Sequence, residues 1–289
     1  MMNLKKIICN SFNNSALNYE DVANVQTEIG NRLFQRLIYL KIQPKYILDL
    51  GSGPGVFTEK LQKLYPKAKV FGVDIAIEML KISKTRQKLF NRWALVNGDM
   101  HNLPFVDGQF DLIFSNQAIH WAESFAAINT ELQRLLANGG CLMFSTLGPD
   151  TLKELRYSFR VADKYAHVND FLDMHDVGDA MLKIGFQDPV LDMEMLQVHY
   201  PSLQDLLYSL KSQGVVNINS KKNKGLTGKN SWGRFTNAIS EFVTNADKYP
   251  LTYEVVYGHA WKGIKEKKIS GSSISIADLK ATIKPRKSS

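Results

Sequence analysis

The sequence predicts a doubly wound α/β fold on a mostly parallel, seven-stranded sheet, and three observations carry that expectation. First, the apolar run Tyr46-Ile-Leu-Asp49-Leu50 passes directly into Gly51-Ser-Gly-Pro-Gly55 and then into a helical pattern. Closely spaced glycines let a backbone turn sharply and approach a ligand, and the helix that follows offers unpaired N–H groups. Second, β-rich runs recur at the spacing of a strand–helix repeat: Lys69–Asp74, Ala94–Met100, Phe110–Asn116 and Cys141–Leu147. Third, Asp74, Asp99 and Asn116 close those runs, and open α/β sheets bind ligands at the carboxyl ends of their parallel strands.

The remaining elements follow in order. Val22, Val25, Ile29, Leu33, Leu37 and Leu40 recur at helical spacing, so Glu20–Lys41 is expected as one amphipathic helix ahead of the first strand, packed on the sheet or covering the ligand. Glu78–Phe90 and Phe125–Leu136 have the pattern of crossover helices, the second closed by Gly139-Gly140 as a C-cap. Pro149 opens a further helix running through Arg156, since proline is favoured in a first turn. A short helix is expected over Asp176–Ile184, then a sixth strand over Pro189–Tyr200 and a seventh over Leu251–Trp261.

The glycine turn narrows the choice of nucleotide. A dinucleotide fingerprint wants glycine at position 56, where the chain has Val56, and the Gly-Lys-Ser/Thr of a phosphate-binding loop is missing. What remains, Asp49-x-Gly51-x-Gly53-x-Gly55, resembles the first motif of class I S-adenosylmethionine-dependent methyltransferases. That resemblance implies a Rossmann-like fold whose last strand is antiparallel, with residues 201–250 a helical insertion between the last two strands, over the active-site edge. It also implies S-adenosylmethionine as cofactor, held by Asp49, Gly51, Ser52, Gly53, Gly55, Asp74, Ile75, Asp99, Met100 and Asn116, with Asp74 at the ribose hydroxyls and Asp99 at the adenine amino group.

Composition bounds the rest. With 289 residues and 44% hydrophobic content the chain can bury a substantial core. Two cysteines, Cys9 and Cys141, cannot build a disulfide framework or metal cluster, and the six histidines lack paired ligand spacing, so no metal is expected. The apolar stretch Ile7-Ile8-Cys9 is too short for a signal core and no later run would span a membrane, so a cytoplasmic location is expected. The net charge of +8 is unevenly spread: residues 263–289 hold seven Lys/Arg against two acids, leaving +3 for the body. That tail has a disordered composition, and the distribution argues against nucleic acid as a partner. A second basic cluster, Lys221, Lys222, Lys224 and Lys229, lies in the insertion.

A closer resemblance covers the chain from about Phe12 to Lys262. Phe12, Ala16 and Tyr19, the segment Gln117-Ala-Ile-His-Trp121, the segment Phe144-Ser-Thr-Leu-Gly-Pro-Asp-Thr-Leu-Lys-Glu-Leu-Arg156, and Tyr257-Gly-His-Ala-Trp261 are similar to the malonyl-acyl-carrier-protein O-methyltransferases of biotin synthesis. The resemblance implies methylation of the free carboxylate of a malonyl thioester on acyl carrier protein, giving a methyl ester that fatty-acid enzymes can elongate. Such a carboxylate is already ionised at neutral pH, so no general base is required. The protein's task is then to align the attacking oxygen and remove water, with few and directional contacts to the acid. Tyr19, in an N-terminal lid, His120 and Trp121, after the fourth strand, and Arg156, a guanidinium able to match a carboxylate, are the candidates. The insertion lysines are candidates for steering the acidic carrier protein. His199 and His259 are expected to be structural.

Other readings stay open at this point. A methyltransferase of another small acid or of RNA shares the same cofactor motif. The adenine-N type wants Asn-Pro-Pro-Tyr/Phe where this chain has Asn116-Gln-Ala-Ile, and the cytosine-C5 type wants a cysteine that is absent there. A non-catalytic assembly factor on the same scaffold would usually bring a transit peptide, of which the N-terminus has no sign.

Overall fold

The computed structural model describes residues 2–89, 92–214, 217, 219 and 228–264. The chain enters through α1 (Met2–Ser15), α2 (Tyr19–Val22) and α3 (Asn24–Arg36). Three strand–helix units and one further strand follow: β1 (Tyr46–Leu50) with α4 (Val56–Leu64), β2 (Lys69–Asp74) with α5 (Ile77–Thr85), then β3 (Ala94–Asn97) alone, and β4 (Phe110–Asn116) with α6 (Phe125–Leu135). The second half contains β5 (Leu136–Leu147), α7 (Lys153–Ala162), α8 (Met174–Ile184), β6 (Phe186–Tyr200), α9 (Leu203–Ser212), α10 (Lys229–Ser240) and β7 (Tyr249–Lys262).

The sheet has the order β3-β2-β1-β4-β5-β7-β6. Pairings among the first five strands are parallel, whereas β7 runs antiparallel to both β5 and β6. Successive side chains on a strand point to opposite faces, so each strand feeds two cores. Ile47, Leu112, Phe114, Cys141 and Met143 pack in one with Ile29, Leu33 and Leu61. Leu48, Leu50, Ile113, Leu142 and Phe144 pack in the other with Ile128, Leu132 and Met181. Covering both faces leaves the strand ends as the accessible edge, and the glycine turn lies there.

Four local expectations are corrected. The helix expected over residues 20–41 breaks at Ala23 (φ −86°, ψ 38°) and ends in a 3-10 turn, Leu37–Leu40, closed by a left-handed Lys41. The break lets Val25, Ile29, Leu33 and Leu37 bury against the sheet while Tyr19 turns over its edge. The crossover helix after β2 stops at Thr85, and the next side chain, Arg86, ion-pairs with Glu20 of α2. Gly139 and Gly140 are not a helix cap, because α6 gives way at Leu136 to extended backbone, and Gly139 (φ 76°) turns within the opening of β5. The helix expected from Pro149 begins at Lys153. Asp150 N–H donates to Glu254 Oε2 (2.6 Å) and Thr151 Oγ1 to the Glu254 carbonyl (3.1 Å), which draws this segment onto β7 and leaves Leu152 left-handed at φ 57°.

Helix α1 had no counterpart in the sequence reading; it packs on α5. Among the described residues no helix is long and apolar enough to cross a membrane. Lys229 is exposed at the start of α10, and Lys221, Lys222 and Lys224 lie outside the described residues, as does the tail from residue 265.

Candidate active site

Three connected cavities open at the carboxyl ends of β1, β2 and β4. The first lies over the glycine turn and the ends of β2 and β4. Gly51, Gly53, Asp74, Ile75, Asp99, Met100 and Asn116 form its floor, and Lys5, Ile8 and Phe12 of α1 form its roof. The strand ends place these residues together because β1, β2 and β3 pair in parallel register, Leu50 beside Val73 and Asp74 beside Asn97.

The glycine loop is suited to a ligand at one position and to its own turn at two others. Gly51 (φ 70°) and Gly55 (φ 84°) are left-handed and crowded: a Cβ would lie 2.3 Å from Ala118 Cβ at the first and 2.2 Å from Ser83 Oγ at the second. Gly53 (φ 52°) is left-handed too, but a Cβ there would meet nothing within 4 Å, so its face is open to the cavity. Gly55 lines none of the cavities and serves the turn. Gly53 N–H donates to Asp74 Oδ2 (2.9 Å) and Ala76 N–H to Asp74 Oδ1 (2.8 Å), which fixes the carboxylate while it still faces the cavity. Burial pushes the Asp74 carboxyl up to about 6, against the lowering effect of those backbone bonds. Asp49 lines a third cavity with Ser52, Gly53 and Gln26. It is 2% exposed, accepts from Thr58 Oγ1 (2.5 Å), and is pushed up to about 7, mainly by burial. The Ser52 hydroxyl in the same cavity is buried without a partner.

Asp99 is already engaged. Its Oδ2 accepts from Lys5 Nζ (2.5 Å) and its Oδ1 from the His101 backbone N–H (3.0 Å), with the His101 ring nitrogen at 2.8 Å. Burial raises this carboxyl, but Lys5 and His101 outweigh it and hold it at about 2. Asn116 supports the floor: its side chain donates to the Gln26 carbonyl (3.0 Å) and accepts from Ser145 Oγ (2.8 Å), tying β4 to α3 and β5.

The second cavity adjoins the first. Phe12, Tyr19, Gln26, Gln117, His120, Trp121, Thr151, Asn169, Phe171, Gln213 and Tyr253 are among its walls. Tyr19 and Gln117 line all three cavities and so stand at their junction. Gln117 adopts φ 54°, a strained setting for a side chain of its size, and its N–H is held by Ser145 Oγ (3.0 Å). Phe12 meets Trp121 edge-on at 5.5 Å, and His120 meets Phe171 the same way at 5.7 Å, making an aromatic enclosure. Burial depresses His120 to about 3, so its imidazole is neutral, and burial raises the Tyr19 phenol, so it stays protonated.

Tyr19, His120 and Trp121 are therefore brought together with the cofactor-side candidates. Arg156 is not. Its guanidinium donates to Asp170 (3.3 Å) and to the carbonyls of Asn169 (3.0 Å) and Pro149 (3.4 Å), so it braces the loop behind the second cavity. Neither of the acids nearby in sequence, Glu154 and Asp163, pairs with it. Glu154, 2% exposed, instead accepts from Thr252 N–H (3.1 Å) and from the Thr252 hydroxyl, so the most distinctive motif in the sequence latches α7 to β7. His199 is exposed on β6 and His259 sits in β7 opposite Met143, away from the cavities. Gln26, Gln117, Tyr253 and the roof residues of α1 escaped sequence reasoning. Gln117 had one usable signal, its place directly after Asn116; the others reach the site across long sequence separations.

Comparison with known proteins follows the same outline. A family model described as a methyltransferase domain matches residues 48–144. A malonyl-[acyl-carrier protein] O-methyltransferase of Legionella pneumophila is 52% identical, the match covering 93% of this chain and 95% of that protein. One of the same name from Gallionella capsiferriformans is 42% identical, again over 93% and 95%. Among solved structures, YcgJ of Bacillus subtilis superposes with a TM-score of 0.57 at 16% identity, covering 80% of this chain and 97% of that one. That likeness shows the fold alone.

Proposed function

Because the chain belongs to the malonyl-[acyl-carrier protein] O-methyltransferase family, we propose that it methylates the free carboxylate of a malonyl thioester on acyl carrier protein, with the three joined cavities as the site. It is an S-adenosylmethionine-dependent O-methyltransferase. The observation that carries the reading of the site is the junction at Tyr19 and Gln117, where the cavity floored by the glycine loop and Asp74 opens into the aromatic enclosure.

The side chains present fit the cofactor: the open face of Gly53, the inward Asp74 and the unpartnered Ser52 hydroxyl suit a ligand with a polar amino-acid end and ribose hydroxyls. When bound, S-adenosylmethionine supplies an electrophilic sulfonium methyl. The protein's own contribution is alignment and exclusion of water. A malonyl carboxylate is ionised at neutral pH, and the neutral His120 and protonated Tyr19 take no proton from it. Phe12, Trp121 and Phe171 exclude water, which strengthens each remaining polar contact. Arg156 acts through the loop carrying Asn169 and Phe171, both of which line the enclosure.

The product would be the methyl ester that enters chain elongation in biotin synthesis. Lys229, with Lys221, Lys222 and Lys224, would attract the acidic carrier protein by long-range steering. A cytoplasmic setting agrees with the two free cysteines. Incubation with S-adenosylmethionine and malonyl-loaded carrier protein, followed by intact-mass analysis, tests the reading. One methyl should appear on the acyl group, and methylation confined to RNA or to a free acid would reject it.

A further inference from the structure

Eight side-chain polar atoms among the described residues are buried without a hydrogen-bond partner, and three of them belong to walls of the second cavity: Gln26 Oε1, His120 Nδ1 and the Tyr253 hydroxyl. Folded proteins pair nearly all of their buried polar atoms, so unpaired atoms gathered around one cavity indicate a partner that arrives with the ligand. Two of the three can donate. Tyr253 carries a phenolic proton, and a neutral imidazole can hold its proton on Nδ1. Among the described residues, none lining this cavity is a lysine or arginine, and the Arg156 guanidinium, which does not line it, is bound through its terminal nitrogens to Asp170 and two carbonyls while its Nε has no partner.

We propose that Tyr253 is an acceptor-binding residue, its hydroxyl donating to the acid end of the acyl group. The inference rests on the proposed substrate and names a recognition residue for it. Tyr253 is well placed to be rigid: it is 4% exposed, lies in β7 opposite Leu196 of β6, and is flanked along the strand by the fully buried Leu251 and Val255. The backbone beside it is clamped, with Leu152 N–H donating to the Thr252 carbonyl (2.7 Å) and Glu154 accepting from Thr252 N–H. The neighbouring Tyr200 hydroxyl is engaged with Ser209 Oγ (3.1 Å). Burial above all, then the Tyr200 hydroxyl, which is near enough to interact with Tyr253 without meeting hydrogen-bond geometry, and Glu154 raise the Tyr253 phenol, which therefore keeps its proton at every ordinary pH.

The chemistry favours this arrangement. An ammonium or guanidinium would hold the carboxylate more tightly but would withdraw charge from the oxygen that must attack. A phenol directed at one oxygen fixes orientation and leaves the other free. A hydrogen bond to a charged group is among the stronger ones, so its loss is expected to weaken acceptor binding by on the order of 10- to 100-fold.

Tyr253→Phe tests the proposal with three readouts on the full-length protein. Affinity for malonyl-loaded carrier protein should fall by that factor, whereas affinity for acetyl-loaded carrier protein, which lacks the acid, should not change. S-adenosylmethionine affinity by calorimetry should be unaltered. The melting temperature should hold or rise, because a hydroxyl with no partner in the free protein costs desolvation without return. Unchanged malonyl affinity, equal loss for both carrier proteins, or a marked fall in melting temperature would each overturn the assignment. Wild-type protein that neither binds nor methylates malonyl-loaded carrier protein would reject the substrate reading itself, so the two failures are distinguishable.

Discussion

Alanine at Gly53 and at Gly51 should separate ligand binding from folding within one turn. Both glycines are left-handed, at φ 52° and 70°, and an L-residue there costs roughly 1–2 kcal/mol. At Gly53 that is the whole penalty to the fold, since the added methyl meets nothing within 4 Å. At Gly51 the methyl would lie 2.3 Å from Ala118 Cβ, far inside the ~3.5–4.0 Å of an ordinary carbon contact. Ala118 is fixed to its backbone and cannot swing aside, so overpacking adds ~1–3 kcal/mol. At ~2–4 °C per kcal/mol for a domain of this order of size, Gly53→Ala should melt only a few degrees below wild type and Gly51→Ala clearly lower. Calorimetric titration with S-adenosylmethionine should show the opposite emphasis. Gly53→Ala fills the face open to the cavity and should lose at least ~10-fold in affinity, about 1.4 kcal/mol. Wild-type affinity in Gly53→Ala, or equal melting temperatures for the two variants, would refute the division of labour.

Four further outcomes are expected. Asp74→Ala, which removes the carboxylate held by Gly53 and Ala76 N–H, should abolish measurable cofactor binding in the same titration; unchanged affinity would remove Asp74 from the site. Glu154→Ala strands the Thr252 N–H and hydroxyl in the interior, and should cost on the order of 2–5 kcal/mol in urea unfolding while cofactor affinity per folded molecule is kept. Because burial depresses His120 to about 3, kcat/KM should show no limb near the ordinary histidine pKa of about 6.5; such a limb, lost in His120→Gln, would contradict a neutral imidazole. Asp99 is held at about 2, below the ordinary aspartate value of 3.8, with Lys5 and His101 outweighing its burial. Its contribution to stability is therefore present above about pH 4 and lost as pH falls toward about 2. Lys5→Ala should flatten acid denaturation in that window, and an unchanged profile would show that the pair is idle in solution.

The parts of the molecule legible from sequence are those governed by neighbours in the chain. The run from Tyr46 to Gly55 encodes strand, turn and helix start through local sterics, and Asp74 closes the next strand as that repeat expects, whereas β3 ends at Asn97 and leaves Asp99 two residues beyond it. Local rules failed where distant segments compete for the backbone. Pro149 has the form of a helix start, yet Glu254 draws Asp150 and Thr151 onto β7 and delays the helix to Lys153. Arg156 has the chemistry to hold a carboxylate, but its direction was set by the Asn169–Asp170 loop.

By itself, then, the sequence determined the α/β class, because glycine conformation and strand periodicity are properties of short segments, while the cofactor and the family were implied by the resemblance of short motifs to known methyltransferases. Only the tertiary structure decided how the acceptor side is built. Tyr19, Gln117, His120 and Tyr253 come from three separate regions of the chain, and they share one cavity because β7 inserts antiparallel between β5 and β6 while the N-terminal helices fold back over the strand ends. No local pattern records that convergence, since its cause is the burial of two sheet faces by elements far apart in sequence.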